Sequence, residues 1–255
     1  MDTPARLESI YRYPVKGLSA ERLASTMLRV GQTLPADRLY AIENGPSGFD
    51  PAAPAYFPKQ RFLMLMRNER LARLSTRFDE TSHVLSIDLE RATVARGDLR
   101  EAEGRAAVER FFANFCADEL RGPAKVLYGN GHSFSDVARK VVSIINLASV
   151  AEIERVLGAP VDPIRFRANL YVSGWPAWHE FSLLGRELHV GRSAKIKVVK
   201  RIQRCAATEV DPATAVRDLP IPKTLLQTFG HGDCGIYAEV VADGEIAVGD
   251  AVLAN

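Results

Sequence analysis

Residues 198–212, V-V-K-R-I-Q-R-C-A-A-T-E-V-D-P, combine an apolar run, a cysteine and a turn. The β-branched residues at the start predict a strand that leads up to Cys205, and Asp211 with Pro212 predicts the turn. Four basic residues stand just before the cysteine: Lys197, Lys200, Arg201 and Arg204. A positive neighbourhood lowers the pKa of a thiol, and a thiolate is both a nucleophile and a metal ligand. Cys205 is therefore a candidate functional residue, and the alternative is a buried cysteine with a structural role.

Composition sets the broad class of the protein. The chain has 255 residues, of which 47% are hydrophobic, so it can form one large or two small domains around a sizeable core. The net charge of +2 gives no reason to predict a nucleic-acid partner. The three cysteines, Cys116, Cys205 and Cys234, are odd in number and far apart, which excludes a disulfide framework and indicates a reducing compartment.

The N-terminal segment has no apolar run of the kind that a signal peptide contains. No stretch approaches the roughly 18 apolar residues that a membrane span requires. We therefore predict a cytoplasmic protein that has no membrane partner.

Short strands separated by glycines and prolines predict β-barrels rather than a parallel sheet. In the first half of the chain, the pattern predicts strands at residues 7–13 and 62–66 and a helix at residues 106–120. Residues 122–134, which are rich in glycine, predict a linker between two domains.

The second half of the chain continues the alternation of short elements. It predicts a helix at residues 146–157 that ends at Gly158, and a short strand at residues 181–184. Asp243 and Gly244 stand between two alternating runs, which predicts a β-hairpin.

Several basic and amide residues at the ends of predicted elements favour an anion site. Arg165, Arg167 and Asn169 alternate along a predicted strand edge and would share one face. Two guanidinium groups and an amide on one face suit phosphate, and the alternative is a solvated face paired to carboxylates. Lys16 and Arg38 stand at strand boundaries, where loops present side chains to ligands, although most such charges are simply solvated.

The sulfur of Cys205 would be a soft metal ligand beside the predicted anion site. This combination favours a phosphorylated cofactor that carries a soft metal. The chain contains no G-x-S-x-G motif, no Walker motif and no G-x-G-x-x-G motif after a predicted strand, so the common hydrolase and nucleotide-binding patterns are excluded.

Two sets of motifs resemble a known family. Tyr13-Pro14-Val15-Lys16 and Asp37-Arg38 resemble the N-terminal β-barrel domain that precedes MOSC domains, which are named for the C-terminus of molybdenum-cofactor sulfurase. Four segments resemble the MOSC domain itself: residues 165–172 (R-F-R-A-N-L-Y-V), 178–180 (W-H-E), 204–212 (R-C-A-A-T-E-V-D-P) and 248–250 (V-G-D). The resemblance covers nearly the whole chain. It implies an α+β, β-rich fold, with an N-terminal β-barrel domain at residues 1–122 and a MOSC β-barrel domain with a few helices at residues 123–255.

The resemblance also implies a molybdenum cofactor, Mo-molybdopterin, between or beside the two domains. Cys205 matches the cysteine that binds molybdenum in amidoxime-reducing relatives, so it is the implied metal ligand and catalytic residue. The implied cofactor-binding residues are Lys16, Arg38, Asp136, Arg167, Asn169 and Arg204. Two positions depart from the pattern: Gly17 replaces a frequent serine and so removes one expected hydrogen bond to the pterin, and Gln203 replaces a small polar residue.

The implied activity is the reduction of N-hydroxylated substrates, such as amidoximes or hydroxylamines, by removal of an oxygen atom. The chain shows no iron–sulfur domain, so we expect electrons from a separate donor protein of the ferredoxin or cytochrome b5 type. The alternative is a sulfur carrier, with a persulfide on Cys205, or a molybdenum-cofactor carrier that acts through the same residue.

Overall fold

Fifteen strands and three α-helices make up the computed structural model, which describes residues 5–254. The first half contains β1 (Ala5–Arg12), β2 (Glu21–Leu23), β3 (Ser25–Leu28), β4 (Tyr40–Asn44), β5 (Leu74–Phe78), β6 (Val84–Leu89), β7 (Ala92–Asp98) and α1 (Ala102–Phe115). The second half contains β8 (Ala124–Tyr128), β9 (Val142–Asn146), α2 (Leu147–Leu157), β10 (Leu170–Ser173), β11 (Glu187–Val190), β12 (Ala194–Gln203), α3 (Ile221–Phe229), β13 (Asp233–Ala242), β14 (Gly244–Ala247) and β15 (Ala251–Ala254). Residues 1–4 and 255 lie outside the described residues, and with them the start of the segment considered as a signal peptide and the outer ends of both predicted domains.

Seven strands form a closed barrel in the order β10-β9-β13-β12-β11-β15-β1. The barrel closes because β1 pairs with β15 along one edge and with β10 along the other. Apolar side chains alternate along β12, where Ala194, Ile196 and Val198 point into the core. This period of two fills the interior and leaves the intervening lysines outside. The predicted β-rich fold is therefore confirmed.

A smaller unit, here called the N-terminal module, comprises β4 to β8 together with α1. Strands β5, β6 and β7 form one antiparallel sheet, and β4 pairs with β8. The apolar face of α1 buries Val108 and Phe112 in the core of this module, and Cys116 is buried there as well. The helix predicted at residues 106–120 is thus present, but it starts and ends a few residues earlier.

Two strands pair with segments on the other side of the predicted domain boundary at residue 122. Strand β1 completes the barrel that is otherwise built from the second half of the chain. Strand β8 lies within residues 122–134, where a linker was predicted, and pairs with β4 of the N-terminal module. Local glycines and prolines marked turns on both sides of β8, but strand pairing with a distant segment decides where that strand belongs. The division of the chain at residue 122 stays a prediction.

Three local predictions are wrong. Residues 62–66 form one isolated bridge, Glu43↔Phe62, followed by a turn instead of a strand. The strand predicted at residues 181–184 is a 3₁₀ turn, His179–Leu183. The predicted hairpin is absent among residues 5–254, because β13 pairs with β12 and β9 whereas β14 pairs with β3. Asp243 accepts a hydrogen bond from the amide of Val30 (2.7 Å), which holds this turn against the end of β3.

Candidate functional site

A cavity of about 380 Å³ lies where the barrel meets the N-terminal module. Its basic lining residues are Lys16, Arg38, Lys59, Arg165, Arg167, Lys200, Arg201 and Arg204, and its acidic lining residues are Asp37, Asp136 and Asp233. The seven predicted site residues, Lys16, Arg38, Asp136, Arg167, Asn169, Arg204 and Cys205, all line this cavity. The excess of cations, in a concave site that excludes part of the solvent, suits an anionic ligand.

Cys205 stands at the point where the barrel faces the N-terminal module. It follows β12, whose irregular register near its end marks bulges that redirect the chain, and it precedes the 3₁₀ turn Ala206–Glu209. Its side chain is half-buried, whereas Cys116 and Cys234 are fully buried. Burial raises the pKa of both buried thiols to about 12. Of the three thiols, Cys205 is thus the one that can meet a ligand in the cavity.

The cation that contacts the Cys205 sulfur is not one of the four basic residues that precede Cys205 in the sequence. The Arg201 guanidinium packs over the Phe181 ring, 4.4 Å from its centroid, and Lys197 and Lys200 are exposed. The ammonium group of Lys59 instead lies 3.4 Å from the Cys205 sulfur. Lys59 belongs to the 3₁₀ turn Lys59–Arg61 of the N-terminal module, so this contact crosses the cavity. The sequence offered no signal for it beyond a basic cluster before an apolar run.

Asp136 joins two lysines that line the cavity. Its carboxylate oxygens lie 2.5 Å from the Lys16 ammonium and 3.2 Å from the Lys59 ammonium, and Lys16 also donates to the Phe134 carbonyl (2.8 Å). Burial works to raise the pKa of the Asp136 carboxyl, but the two ammonium groups outweigh it and hold that pKa far below its ordinary value. Burial lowers the pKa of Lys16, and Asp136 opposes this shift. The carboxylate therefore offsets part of the positive charge in the cavity.

Tyr13, which the sequence did not single out as a contact, separates two arginines. The guanidinium of Arg38 lies 4.5 Å from the centre of its ring and that of Arg167 lies 4.3 Å from it. Both arginines have left-handed backbones, with φ of 52° and 51°. Arg38 is bonded to Asp37 (2.5 Å) and to the Arg167 carbonyl (2.8 Å). Stacking on a buried ring orients the two charges without neutralising them.

The predicted fork of Arg165, Arg167 and Asn169 on one strand face is wrong. Arg165 lies in the 3₁₀ turn Pro163–Phe166 and Arg167 follows it in the left-handed region, so the period of a strand does not apply. Arg165 is buried and forms ion pairs with Asp211 (2.9 Å) and Asp218 (2.7 Å). This contact is the carboxylate pairing that was the alternative interpretation, although it arises in a turn.

Asn169 and Arg204 line the cavity, but their hydrogen bonds hold the protein itself together. The Asn169 amide accepts from the Ser143 backbone (3.0 Å) and hydroxyl (2.9 Å), and it donates to the Tyr11 carbonyl (3.1 Å). The Arg204 guanidinium donates to the carbonyls of Cys234 (2.7 Å) and Phe166 (2.9 Å). Both side chains thus tie together the segments from which the cavity wall is built.

The structure explains why position 17 carries glycine instead of the serine that is frequent in the family pattern. Its φ is +83°, and a Cβ atom at this position would lie 3.0 Å from the Leu63 carbonyl oxygen and 3.2 Å from a methyl group of Leu71. A side chain would therefore meet both backbone strain and a close contact.

Residues 5–254 contain no group of three or more His, Cys, Asp or Glu residues arranged to hold a metal ion. Within the same range, no helix combines the length and the apolar character needed to cross a membrane.

Comparison with known proteins identifies both parts of the chain. The family model described as the MOSC domain matches residues 123–253, and the model described as the MOSC N-terminal beta barrel domain matches residues 4–119. No curated protein matches the chain.

Solved structures give weaker likenesses. The YuaD protein from Bacillus subtilis is 15% identical, with a TM-score of 0.48 over 98% of this chain and 94% of that one. YiiM from Geobacillus stearothermophilus is 23% identical, with a TM-score of 0.36 over 45% of this chain and 53% of that one. The two family models together span almost the whole sequence, and the MOSC model alone spans more than half of it. The chain therefore belongs to the MOSC domain family, whose domains are associated with binding of the molybdenum cofactor.

Proposed function

We propose that this protein binds a molybdenum–pterin cofactor in the cavity and reduces N-hydroxylated compounds with electrons from a separate donor protein. The observation that carries the proposal is the position of Cys205, a half-buried thiol that faces a cavity whose charged lining residues are mainly cations. Thiolates are ligands for soft metals, and guanidinium and ammonium groups bind phosphate. The family association with the cofactor supports the same assignment.

The side chains in the cavity fit such a cofactor. Cys205 offers one sulfur ligand, so the remaining ligands of the metal would come from the cofactor. Lys16, Arg38 and Arg167 supply positive charge for its phosphate and other anionic groups. Asp136 offsets part of this charge through its pairs with Lys16 and Lys59. The buried amide of Asn169 and the guanidinium of Arg204 hold the surrounding wall in place.

When bound, the metal centre would supply the two-electron chemistry that removes the hydroxyl oxygen from nitrogen. The overall change consumes two electrons and two protons and releases water. The protein's own residues would orient the reaction: Cys205 would hold the metal at the border between the barrel and the N-terminal module, and the cavity wall would limit access of bulk water.

A second candidate function is a sulfur or cofactor carrier. The contact between the Lys59 ammonium and the Cys205 sulfur favours it, because a neighbouring cation assists a nucleophilic thiolate. In the sulfur-carrier reaction, the Cys205 thiolate would attack the outer sulfur of a donor persulfide, and the donor thiolate would leave.

Metal analysis separates the two candidates. The wild-type protein and the Cys205→Ala variant are purified from cells supplied with molybdate, and molybdenum is measured per chain. The reductase proposal expects stoichiometric molybdenum in the wild type, its loss or an inactive form in Cys205→Ala, and turnover of benzamidoxime with a chemical electron donor.

Cys116→Ala is the matched control, because it removes a thiol from the core of the N-terminal module that does not line the cavity. This variant should retain molybdenum. Wild-type protein that holds no molybdenum but carries a persulfide on Cys205 would overturn the reductase and favour the carrier.

A further inference from the structure

A second cavity, of about 290 Å³, adjoins the one described above. The residues that line both cavities are Gly17, Leu65, Arg165, Arg167 and Ala207. The second cavity also lies between the N-terminal module and the barrel, but Cys205 and Asp136 do not line it. None of the roles proposed so far requires this space.

The body of the second cavity is apolar. Leu18, Leu71, Leu74 and Val210 line it, and each has at most 3% of its surface exposed. Ser19 is polar, but its hydroxyl is already bonded to the Leu74 carbonyl (2.9 Å) and the Thr76 amide (3.0 Å). The volume suits a single ring or a short branched chain, and it is too small for most of a long acyl chain. Burial of such an apolar group would be favourable.

One end of the second cavity carries positive charge. The charge of Arg165 is offset by Asp211 and Asp218, although its Nε is buried and has no hydrogen-bond partner within residues 5–254. Arg167 donates to the Leu18 carbonyl (2.8 Å) and, within that range, forms no ion pair. A guanidinium has donors and no acceptor. The complementary head group is therefore one that presents oxygen acceptors.

We propose that the second cavity binds small amphiphilic compounds that combine one apolar ring or branched chain with a head group of oxygen acceptors, such as a carboxylate or a hydroxamate. The head group contacts Arg167, and the apolar body lies among Leu18, Leu71, Leu74 and Val210. An amine in the same position would place a second cation beside Arg167 and would be rejected. This site goes beyond the function proposed above, and it shares Arg167 with the cavity proposed to hold the cofactor.

Calorimetric titration of the full chain with three small probes tests the proposal. Benzoate has both the ring and the acceptor head group, benzylamine has the ring with a cationic head group, and acetate has the head group without the ring. We expect benzoate to bind, and benzylamine and acetate to bind about tenfold more weakly or not at all. Absence of benzoate binding, or equal binding of benzylamine, would overturn the proposal.

Two variants locate the site. Ala72 lines the second cavity and not the first, so Ala72→Leu fills the apolar space and should weaken benzoate binding by about tenfold or more. Ala213→Leu adds the same side chain at an exposed position outside both cavities and should leave binding unchanged. Benzoate that binds Ala72→Leu as tightly as the wild type must lie elsewhere, and the proposal would then be wrong.

Arg167→Met gives an independent result if the fuller side chain of Ala72→Leu disturbs folding. This variant keeps a long side chain but removes the charge, so it should lose the preference for benzoate over benzylamine. A preference that persists in Arg167→Met would contradict the role of Arg167. Metal content is measured separately, so failure of this site and failure of the molybdenum proposal are distinguishable.

Discussion

Single charged residues determine how the main cavity responds to pH, and Asp136 is the most informative of them. Burial raises the pKa of its carboxyl, but Lys16 and Lys59 outweigh burial, so the pKa of the folded protein lies far below the value of about 4 expected in the unfolded chain. The unfolded state therefore takes up a proton first as the pH falls. The contribution of ionised Asp136 to the free energy of unfolding is full above about pH 4 and is lost as the pH falls towards the folded pKa.

The Asp136→Asn variant should lack this part of the acid sensitivity. Between about pH 4 and pH 2, we expect the wild-type free energy of unfolding to fall more steeply than that of the variant. Urea unfolding at a series of pH values measures both slopes. Asp118→Asn, which removes an exposed carboxylate outside the cavity, is the control and should follow the wild type. Parallel curves for Asp136→Asn and the wild type would show that the two lysines do not stabilise the carboxylate.

Alanine substitutions at Gly17 and Gly31 distinguish the free-energy cost of backbone strain from the cost of a steric contact. Both have positive φ, of +83° and +66°, but a Cβ atom at Gly31 would have no neighbour within 4 Å, whereas one at Gly17 would lie 3.0 Å from the Leu63 oxygen. Gly31→Ala should cost about 1 kcal/mol of unfolding free energy through its backbone conformation. Gly17→Ala should cost about 1–3 kcal/mol more because its neighbours must shift. Urea unfolding measures both costs, and equal values would contradict the close contact at Gly17.

At the level of elements, the segment between the turn after Cys205 and helix α3 connects the barrel to the N-terminal module. Arg217 in this segment donates to the carbonyls of Leu65 (3.1 Å) and Met66 (3.0 Å) in the module, and to the Ala206 carbonyl (2.8 Å) beside the cysteine. It also pairs with Glu69 (3.0 Å). One side chain therefore fixes the distance between the Cys205 turn and the opposite wall.

Replacing Arg217 with methionine should loosen this connection. We expect a loss of about 1 kcal/mol in the free energy of unfolding, because charge-assisted hydrogen bonds to three carbonyls at the surface are lost. Amide hydrogen exchange in residues 205–209 should become faster than in the wild type. Lys223→Met, which removes an exposed charge on α3, is the control and should leave this exchange unchanged. Unaltered exchange in Arg217→Met would show that the turn is held by other contacts.

At the scale of the whole molecule, strand pairing joins the two halves of the chain. Strand β1 lies between β10 and β15, and its removal would leave both of them with an unpaired edge. Strand β8, from after the predicted boundary, pairs with β4. The two predicted domains therefore share strands in the folded protein.

A fragment of residues 123–255 should consequently fail to fold alone. We expect it to lack a cooperative urea transition and to lack the near-ultraviolet circular dichroism of packed aromatic rings. Mixing it with a fragment of residues 1–122 should restore both signals, and the intact chain serves as the reference. A cooperative transition in the isolated fragment would show that the barrel is stable without β1.

Much of the fold could be predicted from short-range patterns. Alternating apolar residues predicted the strands of the barrel, because side chains in a strand alternate between core and solvent whatever the partner strand is. Helical spacing predicted α1. Gly158 marked the end of the helix predicted at residues 146–157, and it ends α2 with a φ of 66° as expected for a helix C-terminus. The failures lie where one local pattern is compatible with several partners, as for β13 and β14, whose turn suits a hairpin that the structure does not form.

The candidate site divides in the same way. Sequence motifs indicated a set of seven residues, and the fold gathers them around one cavity. The position of each charge within that cavity could not be predicted, because Lys59 and Cys205 are 146 residues apart and meet only when the N-terminal module packs against the barrel. Tyr13 between two guanidinium groups and Arg165 between two carboxylates depend equally on distant segments. The sequence by itself determined the β-rich fold and the family and indicated seven residues that line the cavity, since these follow from local periodicity and motifs. Tertiary structure alone decided which charges neutralise each other, since electrostatic pairing depends on distances of a few ångströms between residues far apart in the chain.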